Sequence, residues 1–166
     1  PGEEGWFHGW IHEQSSNCIG LDIDESAVDE ANALGYDLRH TDVQDFELRQ
    51  SFDVVVAPNI IEHLSCPGRM LKCARKHLRP NGRLALTTPR PNIPWWTAQA
   101  IINQGDPGPH PEHTMWLGPS TLRELLSRES FEVTEYHTWT FKRKGMSTKD
   151  SIWITVMKFI SSMPGL

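Results

Sequence analysis

Three histidines stand where an imidazole could take up a proton: His63 directly follows Glu62, and His110 and His113 flank Glu112. Imidazole ordinarily titrates near neutral pH, so each is a candidate general base. The run His-x-Glu-His at 110–113 also raises the question of a metal. It has no further carboxylates aimed at the same point and lacks the helical spacing of hydrolytic zinc sites, so no metal is expected. Carboxylates and glycines offer a second chemistry. Pro1-Gly2-Glu3-Glu4-Gly5 has the form of the tail of a G-x-G-x-x-G loop whose first glycine would precede Pro1. A helix-like segment from Trp6 to Glu13 follows, then an apolar run from Cys18 to Ile23 carrying Asp22, 17 positions beyond Gly5. Glycines let a backbone approach a ligand, and a carboxylate near this spacing accepts hydrogen bonds from two ribose hydroxyls.

These residues need elements to hold them. Ser26 to Leu34 places Ala27, Ala31 and Leu34 at helical spacing and stops at Gly35, which gives strand then helix. A second unit repeats the order. Phe52 to Ala57 is a β-branched run of the kind found in buried parallel strands, and a helix from Gly68 to Leu78 ends at Pro80-Asn81-Gly82. Arg83 to Thr88 supplies another strand, and Tyr36 to Val43 one more with Asp42 at its C-terminal end. Such alternation predicts an α/β fold with parallel strands, right-handed crossovers and helices on both faces. His63 then falls just past a strand tip, where such sheets bind ligands.

The stretch 89–119 breaks the alternation. It is rich in Pro and Gly, carries Trp95, Trp96, His110, His113 and Trp116, and reads as a loop or lid insertion able to close over an acceptor. Its tryptophans could line an aromatic pocket or cover a sheet edge. Beyond it, Pro119 to Ser127 predicts a helix with Leu122, Leu125 and Leu126 inward, and Phe131 to Thr140 and Ile152 to Phe159 predict two final strands.

Composition narrows the classes. The 166 residues suit one domain, 1–166, with a single core. A net charge of −5, with the basic run Arg69 to Arg79 lying on a helix that also carries Leu71, Ala74 and Leu78, gives no footprint for nucleic acid. No apolar run approaches the ~20 residues of a membrane span, and Cys18, Cys66 and Cys73 form neither a CxxC pair nor an even framework. A cytoplasmic protein with a small-molecule acceptor is expected, with no membrane partner.

The ordered blocks Ile19-Gly20-Leu21-Asp22-Ile23-Asp24, Asp42-Val43, Phe52-Asp53-Val54-Val55-Val56, Ile60-Ile61-Glu62-His63-Leu64, Leu78-Arg79-Pro80-Asn81-Gly82-Arg83-Leu84 and Thr87-Thr88-Pro89 resemble the class I S-adenosylmethionine-dependent methyltransferases. The likeness is to the small-molecule group that includes ubiquinone-biosynthesis-type enzymes. It extends to Thr121-Leu122-Arg123-Glu124-Leu125-Leu126 and Phe131-Glu132-Val133. The resemblance implies a Rossmann-like, doubly wound, mostly parallel seven-stranded sheet with an antiparallel C-terminal strand. It implies S-adenosylmethionine as cofactor, with Gly2 and Gly5 near its methionine portion, Asp22 on the ribose and Ile23 beside the adenine. Asp42 would accept from the adenine amino group, Val43 would give a backbone contact, and Pro58 and Asn59 would sit beside the methyl donor.

Methyl transfer from a sulfonium is an in-line displacement, so the protein must align two reactants and help remove a proton. Oxygen is the expected acceptor atom, and His63, His110 and His113 are the candidate bases. Two other readings remain: a methyltransferase-like protein that binds cofactor without turnover, and an NAD(P)-dependent Rossmann oxidoreductase. The resemblance also places the family's central strand ahead of Pro1. A sheet lacking its middle strand would leave two unpaired edges, so the natural protein is expected to continue upstream.

Overall fold

Helices and strands alternate through the residues that the computed structural model describes, 6–89, 101, 112–141 and 154–162. The chain divides at residue 47 into two units, Pro1–Glu47 and Leu48–Leu166. The first unit runs α1 (Phe7–Glu13), β1 (Gly20–Asp22), α2 (Glu25–Ala33) and β2 (Leu38–His40). β1 and β2 pair in parallel, with Gly20 opposite Leu38 and Asp22 opposite His40.

Asp24 starts α2, its carboxylate accepting from the N–H groups of Ser26 and Ala27 at 2.9 and 3.2 Å, the usual N-cap arrangement. The helix buries Val28 and Ala31, whereas Leu34 is 58% exposed. The inward face is therefore not Ala27, Ala31 and Leu34: the helix ends at Ala33, so Leu34 no longer follows the helical period. Gly35 then turns the chain at φ +91. Asn32 ties α2 to β2, donating to the Leu38 carbonyl at 3.0 Å and accepting from the Leu38 N–H at 2.8 Å. Val28, Ala31 and Leu38 form the unit's core, with Trp6 and Tyr36 packed against it. A Cβ on Gly20 would lie 2.8 Å from both His8 Cε1 and Leu38 Cγ, so a side chain there is excluded by the approach of α1. Burial lowers the His8 pKa and nearby His12 adds to the effect; burial also pushes the Cys18 thiol up.

The second unit contains β3 (Phe52–Pro58), a 3-10 turn (Ile61–His63), α3 (Pro67–His77), β4 (Leu78–Pro89), α4 (Pro119–Arg128), β5 (Glu132–Phe141) and β6 (Ile154–Ser162). Its strand order is β3-β4-β6-β5. β3 and β4 are parallel, while β6 runs antiparallel to both β4 and β5. β4 alternates, burying Leu84, Leu86 and Thr88, as a strand with one covered face should. α3 buries Met70, Leu71, Ala74 and His77 and leaves Arg69, Lys72, Arg75 and Lys76 exposed, so the basic run is the wet face of an amphipathic helix.

Two boundaries differ from the pattern in the sequence. α3 ends at His77 and Leu78 is already extended, because Pro80 disfavours helical geometry in the residue before it and cannot continue the hydrogen-bond ladder. The Asn81 turn, at φ +63, is then accommodated as a register shift opposite Phe52–Val54. β3 is also less covered than its valines suggest, with Val54 51% and Val56 38% exposed. Among the described residues it pairs with β4 alone, and β1 with β2 alone. No helix among the described residues is long and apolar enough to cross a membrane.

His77 locks α3 to the start of the unit. Its Nδ1–H donates to the Cys73 carbonyl at 2.8 Å and its Nε2 accepts the Leu48 N–H at 2.8 Å. Replacing His77 by Ala leaves both backbone groups without this partner, so the variant should lose about 1–3 kcal/mol. Thermal and denaturant unfolding read this directly, and an unchanged midpoint would show that the two bonds carry no net stability.

Candidate functional site

In the first unit the ends of the parallel strands gather carboxylates. Asp22 closes β1 and is exposed. Its Oδ1 accepts the Asp24 N–H at 3.0 Å, and its carbonyl accepts the Thr41 N–H at 2.8 Å, tying the end of β1 to the residue after β2. Ile23 follows with 70% of its surface exposed, its carbonyl 3.1 Å from His40 Nε2. Asp42 forms an Asx turn: its Oδ1 accepts the Gln44 N–H at 2.8 Å, and Gln44 Nε2 lies 3.3 Å from each oxygen. Val43, inside that turn, is half-buried. Gly2, Gly5 and His110 lie outside the described residues.

In the second unit Pro58 and Asn59 stand exposed at the tip of β3. Asn59 has φ +46, a left-handed conformation that asparagine tolerates better than most residues. Its N–H donates to the Thr87 carbonyl at 3.0 Å and toward Thr87 Oγ1 at 3.1 Å. That hydroxyl in turn donates to Asn59 Oδ1 at 3.1 Å. The tips of β3 and β4 are thus fastened to each other at the residues nearest the turn.

The turn carries Glu62 inward and His63 beside it. Glu62 is only 2% exposed, and its Oε2 accepts the Thr88 hydroxyl at 3.0 Å. His63 Nδ1 lies 3.2 Å from the carbonyl of Glu112. A carbonyl only accepts, so Nδ1 is the donor in this contact and Nε2 is the ring nitrogen that points elsewhere. His113 meets His63 edge-on at 4.8 Å between ring centroids, and Trp116 meets His113 in the same manner at 5.1 Å. Glu62 Oε1 and His113 Nδ1 are both buried. One donor atom from each of Glu62, His63 and His113 falls within 4.8 Å of the others. This trio could hold a cation or a proton.

The structure therefore joins two of the three candidate histidines, His63 and His113. It regroups the acidic residue: Glu112 offers its backbone carbonyl to His63, and the carboxylate of the cluster comes from Glu62. Glu62, Thr88 and Thr114 were not singled out by residue type or spacing. Glu62 and Thr88 lie within the family blocks Ile60-Ile61-Glu62-His63-Leu64 and Thr87-Thr88-Pro89, and no sequence signal marks Thr114.

Strands joined by helices, with carboxylates at strand ends, define a Rossmann-like α/β protein. A solved S-adenosylmethionine-dependent methyltransferase from Mesorhizobium loti has the same fold, with a TM-score of 0.71 at 19% identity, covering 95% of this chain and 86% of that one. Residues 1–86 match the methyltransferase domain family, and the chain belongs to that family of S-adenosylmethionine-dependent methyltransferases. It is 32% identical over 136 residues to a probable S-adenosylmethionine-dependent methyltransferase of Mycolicibacterium smegmatis, covering 80% of this chain and 50% of the relative. It is also 32% identical over 134 residues to a ubiquinone biosynthesis O-methyltransferase of Bradyrhizobium diazoefficiens, covering 72% and 51%. The chain spans about half the length of these curated relatives. The family match removes the oxidoreductase reading.

Thr114 clamps the segment bearing His113 to the turn. Its N–H donates to the Glu62 carbonyl at 2.9 Å, and its hydroxyl faces the carbonyls of Glu62 and Leu64 at 3.1 and 2.8 Å. Thr114→Val removes the hydroxyl at nearly constant volume and should cost about 1 kcal/mol, with a loss of turnover that Thr114→Ser restores. Turnover unaffected by the valine would show that His113 needs no such clamp.

Proposed function

We propose that the protein transfers a methyl group from S-adenosylmethionine to an oxygen of a small organic acceptor, with His63 as the base. The observation that carries this reading is the contact of His63 Nδ1 with the Glu112 carbonyl at 3.2 Å. A ring held this way presents Nε2 as a proton acceptor at the tip of a parallel strand, the end at which α/β sheets bind ligands. The name of the Bradyrhizobium relative, an O-methyltransferase, supports oxygen over nitrogen or carbon.

The cofactor supplies an activated methyl on a sulfonium, and the chain's residues bind and align it. In the first unit, the exposed Asp22 carboxylate takes the ribose hydroxyls and the uncovered Ile23 side chain flanks the adenine. Asp42 accepts from the adenine amino group, Val43 offers its backbone, and Gly2 and Gly5 approach the methionine portion. In the second unit, Pro58 and Asn59 lie beside the methyl donor. With the cofactor bound, its methyl group would pass from the sulfonium to the acceptor oxygen, and His63 Nε2 would take the proton that the hydroxyl loses. His113 and Glu62 bear on the resulting imidazolium, His113 by an edge-on ring contact and Glu62 by its charge; His110 is carried forward as a further candidate from the same insertion, 89–119.

The same reading takes the chain as one domain, 1–166, cytoplasmic, without nucleic-acid or membrane partners. It also takes the family's sheet to be doubly wound, mostly parallel and seven-stranded, with an antiparallel C-terminal strand.

Incubation with methyl-labelled cofactor and a panel of small hydroxyl and amine acceptors tests the proposal. Label should pass to hydroxyl compounds, and His63→Ala should lower kcat by about 100-fold or more while cofactor affinity is retained. Transfer to amines alone, or a His63→Ala variant with full kcat, would refute the assignment.

A further inference from the structure

The cluster under the tip of β3 has the make-up of a metal centre. Two imidazoles and one carboxylate, from Glu62, His63 and His113, bring one donor atom each within 4.8 Å of one another. A tetrahedral ion with bonds of ~2.0–2.2 Å would hold such atoms ~3.4 Å apart, inside the 4.8 Å that spans the donor atoms here. The donors are also oriented from behind. His63 Nδ1–H is held by the Glu112 carbonyl at 3.2 Å, which directs Nε2 away from it. Glu62 Oε2 accepts the Thr88 hydroxyl at 3.0 Å, which fixes the orientation of the carboxylate. Outer partners of this kind, a carbonyl behind a histidine and a hydroxyl on a carboxylate, accompany metal ligands and fix their geometry. Finally, Glu62 is 2% exposed, and a carboxylate at that depth is stabilised by positive charge close by.

We propose that Glu62, His63 and His113 bind a divalent first-row transition ion of the Zn2+ class. Imidazole donors disfavour Mg2+ and Ca2+, which prefer all-oxygen sites. Three protein ligands leave a position open for an oxygen ligand. The inference goes beyond methyl transfer: it shares side chains with the proposed base but requires neither cofactor nor acceptor. Ligation and proton abstraction draw on the same His63 lone pair, so the two states exclude each other at that ring.

Titration of Co2+ into the metal-stripped full-length protein, followed by visible absorption, tests the site. One equivalent should bind with the intense bands of a four-coordinate ion, Zn2+ should displace it, and equimolar Mg2+ should not. His63→Ala and His113→Ala should each abolish stoichiometric binding, and Thr88→Val, near-isosteric and remote from the ion, should weaken it about 10-fold. Cys66→Ser should bind as the parent does, since an exposed cysteine is the obvious competing ligand. Circular dichroism of each variant establishes that it is folded, and Thr88→Val remains informative if a histidine variant is not. No binding by the folded parent, binding that survives both histidine variants, or displacement by equimolar Mg2+ would overturn the proposal. S-adenosylhomocysteine binding, measured on the same samples, separates such a failure from a failure of the methyltransferase reading.

Discussion

The second unit is arranged around a carboxylate it has buried. A carboxyl group removed from water is costly unless it is hydrogen-bonded. Thr88 supplies a hydroxyl from β4, and His63 and His113 bring imidazoles to within a few ångströms. The backbone of the same residue carries the other half of the work, since its carbonyl receives both the N–H and the hydroxyl of Thr114. A side chain that had only to fill space between β4 and α3 would have been leucine or isoleucine, like its neighbours Ile61 and Leu64. The polar choice commits a strand, a 3-10 turn and a distant loop to one geometry, and that geometry presents the face of His63.

The first unit solves a different problem with the same residue type. Asp22, Asp24 and Asp42 follow the ends of two short parallel strands, and the structure divides their labour. Asp24 caps α2, Asp42 closes a turn on Gln44, and Asp22 stays at the end of β1 with only one local hydrogen bond in view. Capping and turn formation satisfy backbone N–H groups that would otherwise lack partners. Asp22 is the carboxylate of the three that the local backbone uses least, as a ligand-binding group should be.

Element type was legible because it is local. Periodicity located α2, α3 and α4, and the β-branched run Phe52-Asp53-Val54-Val55-Val56 located β3. The boundaries that differed, Leu34 and Leu78, lie where a cap or a proline overrides the period. Burial was less legible: Val54 and Val56 read as core residues, yet their exposure depends on what pairs with β3, which no local pattern encodes. The site was legible in part. Asp22 stood out because spacing and family blocks met there, and His63 because it follows a strand tip. Its partnership with His113, 50 residues along the chain, depends on tertiary packing, and so does the replacement of the Glu112 carboxylate by that of Glu62. A backbone carbonyl orienting an imidazole leaves no trace in residue types.

A family fold can hold cofactor with or without turnover, so the account rests first on the cofactor. The most direct measurement is calorimetric titration of S-adenosylhomocysteine, with NAD as control, into the protein and into Asp22→Ala. Binding of the former alone, weakened by about 1.5–3 kcal/mol in the variant as expected for loss of hydrogen bonds to a charged group, is the predicted result. Failure of the folded protein to bind it, or an affinity that Asp22→Ala leaves unchanged, would contradict the account.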